Sequence, residues 1–454
     1  MKHGIIKTRI FFIYVLFFAF FRVQTRIDEQ SSFVKTSADK MADKLADKKE
    51  QWITIFVHGI MSIQPYLSTG LICKLFNDSI RNTLYADVVS TIRKNTLFSC
   101  NQLMQGVGLH KIDIKKQEKY TASQALAILY NQVLKEQNTH ENDMFYTFGW
   151  SGLLSKKARR KAAKQLFFEL EQEIKRLAKI GYYPKIRLIG YSHGANVCLN
   201  VAAVKNKHEK KHFLIDELIL LGCPIQVDND FLVNDPFFKK VYNFYSRKDR
   251  IQKRDCFSSK AFFSDRRFCN RSGYGISKKV TQVQIKITRI KPGISHARKK
   301  NVIYLTQDKP NAHSSRALQD ESPGHMELWF FGWTPRHYRK TFILYPYPVL
   351  LFLPIIIQGL KKSGMQYNGA GQEIIVDIRP DHEMIIIKSD QKQYIQPFQF
   401  HRLAKKFASI AEKAQPEKYS KEIVENHIYY HKKKIKNERL QRGIRDSKAK
   451  RMRK

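Results

Sequence analysis

The stretch KIRLIGYSHGANVCLNVAA, residues 185–203, changes character at its middle. Lys185–Ile189 is a short run of strand type, and from Ala195 the residues are small and helix-compatible. Only Gly190-Tyr191-Ser192-His193-Gly194 lie between them. A strand that turns so sharply into a helix holds the residue at its apex above the sheet. The resulting crowding falls on the positions two before and two after it, where only glycine relieves the clash. Gly190 and Gly194 occupy those positions, with Ser192 at the apex. The backbone N–H of His193, opening the helix, then points to where an oxyanion would form. This pattern predicts an activated serine on a strand–turn–helix.

Upstream, ITIFV (53–57) is a continuous apolar run, as in a strand buried on both faces, and it leads into His58-Gly59-Ile60-Met61. A His-Gly pair after such a strand offers a second oxyanion donor, the N–H of Ile60 or of Met61 beside it. His58 itself reads as a structural histidine satisfied by backbone groups. Thr121 and Gln124 form a candidate capping box for a helix to Lys135, and MFYTF (144–148) is strand-like. Ser155 is the expected N-cap of an amphipathic helix through Ala158, Ala162, Leu166, Leu170, Ile174 and Leu177, ended by Gly181. Its first turns carry Lys156, Lys157, Arg159, Arg160, Lys161 and Lys164. They read as a solvated face, with docking on an anionic surface as the alternative. Downstream, ELILL (217–221) and VYNFY (241–245) read as buried strands, and Val280–Ile290 as a half-exposed one. Strands alternating with helices predict an α/β fold with a mainly parallel central sheet and helices on both faces.

An activated serine needs an acid and a histidine downstream, in the order Ser, Asp, His. Asp249 lies four residues past the VYNFY strand, with Asp228 and Asp255 as competitors. SPGHMELW (322–329) places His325 on a Pro-Gly loop anchored by the apolar residues behind it. His296 and His313 sit in polar, basic stretches without such an anchor.

Taken in order, FVHGI, LIGYSHGANV, LILLGCP, NFYSRKD and SPGHMELW resemble the α/β-hydrolase superfamily, most nearly its lipase and serine-esterase-like branches, over roughly residues 50 to 335. The resemblance implies Ser192 as nucleophile, His325 as general base and then acid, and Asp249 orienting His325. It implies hydrolysis of an ester or lipid substrate through an acyl-enzyme, with no cofactor and no metal. The long basic stretch from Cys256 to Lys300 matches no lipase lid or cap. The alternative is an inactive protein of the same fold that binds anionic membrane or polymer surfaces.

The 454 residues suffice for a catalytic domain with appendages, expected as residues 51–340 followed by an extension at 341–400 and a basic helical tail at 401–454. Within the extension, FILYPYPVLLFLPIII (342–357) contains Pro346, Pro348 and Pro354, which argue against a membrane-spanning helix. It either packs on the core or forms an apolar surface that meets lipid. Glu373–Ile378 and Met384–Lys388 read as a hairpin.

Lys and Arg number 81 against 40 Asp and Glu, a net charge of +41, which favours anionic partners. With no zinc-finger spacing, RNA-binding signature or Gly-rich nucleotide loop, nucleic acid is not the expected one. The cysteines (Cys73, Cys100, Cys198, Cys223, Cys256 and Cys269) form no C-x-x-C pair. Cys256 and Cys269 could pair if the chain is exported. Lys2, Lys7 and Arg9 precede an apolar run at 10–21, so residues 1–26 read as an export signal or a retained short anchor, joined by a polar linker at 27–50.

Overall fold

The computed structural model describes residues 49–61, 69–94, 103–115, 120–137, 143–207, 213–253, 264–269, 273, 275–290, 318–320, 322–332, 343–367 and 373–415, with scattered positions from 429 to 441. The N-terminal apolar run, Cys256, Asp255, His296, His313 and most of the C-terminal tail lie outside them. Everything below concerns the larger of two compact units, Trp52–Ile174 with Lys185–Lys454.

The strands are β1 (Lys49–Val57), β2 (Gly108–Lys111), β3 (Met144–Gly149), β4 (Tyr182–Tyr191), β5 (Ile215–Leu221), β6 (Phe238–Tyr245), β7 (Val280–Ile290), β8 (Leu318–Asp320), β9 (Ile374–Arg379), β10 (Met384–Lys388) and β11 (Gln393–Pro397). They form one sheet in the order β11-β10-β9-β7-β6-β5-β4-β1-β3-β2, with β8 beside β7. The pairs β1–β3, β4–β5, β5–β6, β6–β7 and β7–β9 are parallel. The pairs β2–β3, β9–β10, β10–β11 and β7–β8 are antiparallel. The chain is therefore an α/β protein with a mostly parallel sheet.

The helices are α1 (Thr69–Phe76), α2 (Leu84–Lys94), α3 (Ala122–Glu136), α4 (Lys156–Lys179), α5 (His193–Lys205), α6 (Leu353–Lys362) and α7 (Phe400–Ala414). Local chemistry sets their ends. Thr121 and Gln124 close a capping box on α3, and Ser155 Oγ accepts the Ala158 N–H at 3.0 Å at the start of α4. Ile189, Tyr191, Ile219, Leu221, Tyr242 and Phe244 meet α3, α6 and α7 in one core. The intervening Leu188, Leu218 and Leu220 are also buried, and alternate residues of a strand point to opposite faces, so both faces of the sheet are covered.

The structure decides three sequence expectations, the first of them as a correction. The β7 strand is not half-exposed, because Thr281, Gln282, Gln284 and Thr288 are buried between β6 and β9. Their polar groups find partners that strand periodicity cannot reveal: Gln282 meets the N–H of Phe268 at 2.7 Å and its carbonyl at 3.1 Å, and Thr288 donates to Asp377 at 2.7 Å. Next, of the two readings of the proline-rich segment, its described residues take the first and pack on the core. Its residues Tyr347–Leu353 and Ile355–Ile357 are buried in the main core, and Pro354 stands in the first turn of α6, where no N–H is required. Last, the segment assigned to the tail from residue 401 begins as α7, which buries Leu403, Phe407, Ala411 and Ala414. The hairpin of β9 and β10 carries the same sheet onward from β7. Among the described residues no helix is long and apolar enough to cross a membrane.

A buried ion cluster lies beneath the turn. Arg187 of β4 stands opposite Glu217 of β5 and donates to it at 2.8 Å; its other end reaches Asp143 at 3.3 Å, and its guanidinium lies 4.6 Å from the Trp52 ring. Burial pushes Glu217 up, but Arg187 and Lys361 outweigh it and hold the carboxyl at about 2. Burial wins at Asp143, raised to about 6. Removing the cation strands charge in the core, which costs about 3–5 kcal/mol. Arg187→Met should lower unfolding free energy in urea by that order, and adding Glu217→Leu should restore part of it. Equal stability of the single variant and the wild type would refute this account.

Candidate active site

Ser192 sits between β4 and α5 with φ 52° and ψ −128°, outside the regions open to most side-chain-bearing residues. Its N–H donates to Leu221 O at 2.9 Å, and its carbonyl accepts the Ala195 N–H at 3.0 Å. The flanking glycines are required by backbone. A Cβ on Gly190 would lie 2.5 Å from Ala195 Cα, and one on Gly194 would lie 2.3 Å from His58 O. A Cβ on Gly59 would come within 2.9 Å of Ser192 Cβ, so the segment after β1 closes over the serine.

The structure brings Ser192, His325 and Asp249 together. Ser192 Oγ lies 2.9 Å from His325 Nε2, and His325 Nδ1 lies 2.6 Å from Asp249 Oδ2. Those partners assign the proton to Nδ1, leaving Nε2 to accept the serine hydroxyl. All three residues are buried. Asp249 follows β6, and its second oxygen accepts the N–H groups of Ile251 (3.0 Å) and Gln252 (3.2 Å), which fixes the carboxylate. Asp228 is elsewhere engaged, in an ion pair with Lys156.

Several residues that the sequence reading passed over hold the histidine. Tyr191 donates its hydroxyl to His325 O at 3.1 Å, and its ring stacks on Trp329 with centroids 5.1 Å apart. The Glu327 carboxylate accepts the Gly324 N–H and, at 3.0 Å, the Ile343 N–H, tying both sides of the loop to one side chain. Gly222, at φ 63°, ends β5 where a Cβ would lie 3.3 Å from His325 Nδ1. Of these only Glu327 left a trace in the sequence, the Gly-x-x-Glu spacing of a capping turn.

Of the proposed oxyanion donors, His193 opens α5, so its N–H belongs to the helix turn without intrahelical acceptors. Met61 is not such a donor, since its N–H is spent on Gly152 O at 3.0 Å, which leaves Ile60 as the candidate from this loop. His58 lies behind this loop. Its Nδ1 donates to Gly59 O at 2.7 Å, while Nε2 accepts from Trp150 N (3.2 Å) and Arg93 (3.0 Å). Burial first and Arg93 second lower His58 to about 3, so it stays neutral. Behind His193, buried Arg159 reaches His193 Nδ1 at 3.3 Å and Gln226 at 3.1 Å.

No protein-family model matches this chain, and no curated protein matches its sequence. The site stands on its own geometry. Cys269 Sγ donates to Asp265 at 3.3 Å, and Cys73 and Cys198 are free thiols. Among the described residues no grouping of His, Cys, Asp and Glu could hold a metal ion.

Two outcomes follow from these contacts. Glu327→Ala leaves two loop N–H groups without their acceptor, at a cost of about 1–3 kcal/mol, and should raise proteolysis near His325; an unchanged melting curve would contradict the tie. For His58 the folded value of about 3 lies below the ordinary 6.5, so the unfolded chain binds the proton first. Stability should therefore rise with pH between these values. His58→Asn should flatten that part of the urea-midpoint profile.

Proposed function

We propose that the chain is a serine hydrolase of the α/β-hydrolase superfamily that cleaves carboxylic esters in the manner of esterases and lipases. The observation that carries the reading is the continuous hydrogen-bonded line from Ser192 Oγ through His325 to Asp249, at 2.9 and 2.6 Å. It is supported by the order of the three residues and by their setting at the ends of β4, β6 and the 322–329 loop.

In this reading His325 Nε2 takes the Ser192 proton as Oγ attacks the ester carbonyl, and Asp249 stabilises the imidazolium that results. The N–H groups of His193 and Ile60 receive the negative charge on the carbonyl oxygen. The tetrahedral intermediate collapses by breaking the C–O bond of the alcohol, to which His325 returns the proton. Water then attacks the Ser192 ester with His325 again as base, releasing the acid. The N-terminal apolar run supports export or attachment to a membrane, and an ester or lipid outside the cytoplasm as substrate.

A fluorophosphonate probe tests the reading directly. Wild-type protein should be labelled and Ser192→Ala should not. Asp249→Asn should keep its fold while losing about 10⁴-fold in the rate of hydrolysis of a short p-nitrophenyl ester, because the wrong imidazole tautomer then faces the serine. A folded wild type that neither labels nor hydrolyses would favour a non-catalytic binding protein instead.

A further inference from the structure

The edge of the sheet that carries Ser192 has a second property. Four chain segments are stitched together along it. The first turn of α4 is joined to the loop after β5 by the ion pair of Lys156 with Asp228. That loop pairs with the segment around residue 265 through the Ile225–Asp265 bridge. Arg266 in turn donates to the carbonyls of Arg247 (2.7 Å) and Asp249 (2.9 Å), fixing the loop after β6.

Along this rim the exposed charges are of one sign. Lys157, Arg160 and Lys161 of α4 are exposed, as are Lys248 and Arg250 around Asp249, while Arg247 is paired with Glu373 at 3.3 Å. In residues 150–161, 222–229 and 246–252 no acidic side chain is exposed. The acids present are engaged: Asp228 with Lys156, Asp249 with His325, Glu373 with Arg247, Asp265 as acceptor from Cys269 at 3.3 Å, and nearby Asp78 with the Lys157 N–H at 2.8 Å. One large apolar side chain stands among the cations, Ile251, 48% exposed and two residues beyond Asp249.

We propose that this rim docks on an anionic phospholipid bilayer, turning the mouth of the Ser192 site toward the membrane. Cations that reach a lipid surface each multiply affinity by roughly fivefold, and an apolar side chain among them can enter the headgroup layer. A cationic ring around an exposed isoleucine fits that interface better than it fits a soluble polyanion, which offers nothing apolar. The surface assigns the substrate class within the hydrolase reading, on which that last step rests: an ester carried by, or dissolved in, an anionic membrane.

The test uses the full chain carrying Ser192→Ala, so that binding is read apart from catalysis. Sedimentation with phosphatidylcholine vesicles, with and without phosphatidylglycerol, compares Arg160→Glu/Lys161→Glu and Lys248→Glu/Arg250→Glu with Lys207→Glu/Lys239→Glu. The last pair makes the same charge change beyond α5 and at the start of β6, away from the rim. Each rim pair should lower affinity for the anionic vesicles at least tenfold, and the control pair less than twofold. All should bind neutral vesicles alike, since all keep the N-terminal apolar run. The proposal is overturned if the control loses as much as the rim pairs, if the rim pairs bind like the parent, or if they lose heparin binding but retain vesicle binding. In the same rim variants with Ser192 restored, probe labelling stays at the wild-type level, so failure here is distinct from failure of the hydrolase reading.

Discussion

At Ser192 the backbone is held at φ 52° because the chain has no other way to leave β4 and enter α5 within so few residues. The conformation costs on the order of 1–3 kcal/mol and persists only where the surroundings over-determine it. Here they do. The Ser192 N–H is bound by Leu221, Gly190 lies against the backbone of Ala195, and Gly194 lies against the carbonyls of Val57 and His58. Three neighbouring strands thus meet at one turn. The position of the serine hydroxyl, the start of α5 and the closeness of the Ile60 loop all depend on that crowding.

The interior around the turn is unusually polar for a sheet centre, and it is stable because each charge has a partner. Arg187 is shared between Glu217 and Asp143 and stacked on Trp52, while His58 is kept neutral between Gly59, Trp150 and Arg93. Buried groups of this kind fix register more than they add stability. A slip of β4 against β5 by one residue would separate Arg187 from Glu217 and move Ser192 off the Leu221 carbonyl. The ion cluster below and the strained turn above therefore enforce the same alignment.

Much of this was legible in the sequence, for reasons that differ by residue. The turn could be read because steric demands left glycine as the only choice at 190 and 194. Asp249 could be placed because it follows a strand whose end was visible, and His325 because Pro323 and Gly324 mark a loop that the apolar residues behind it anchor. The β7 strand was misjudged, since alternation reports which residues are polar and says nothing of Phe268 or Asp377 covering them. The 342–357 segment left two readings open, because apolarity alone does not distinguish a core from a lipid face. Tyr191 was invisible for another reason: its partner, His325 O, is a backbone group 134 residues along the chain.

The distance along the chain between Ser192 and His325 has a further meaning for biosynthesis. The histidine is made 133 residues after the serine, and its loop is tied through Glu327 to Ile343, at the threshold of the buried 344–360 segment. A chain emerging from the ribosome thus carries its serine through 133 further residues of synthesis with no His325 beside it. In the hydrolase reading proposed above, the set of Ser192, Asp249 and His325 is complete only once the chain has been made beyond His325 and packed, so the nascent polypeptide would be inert toward esters.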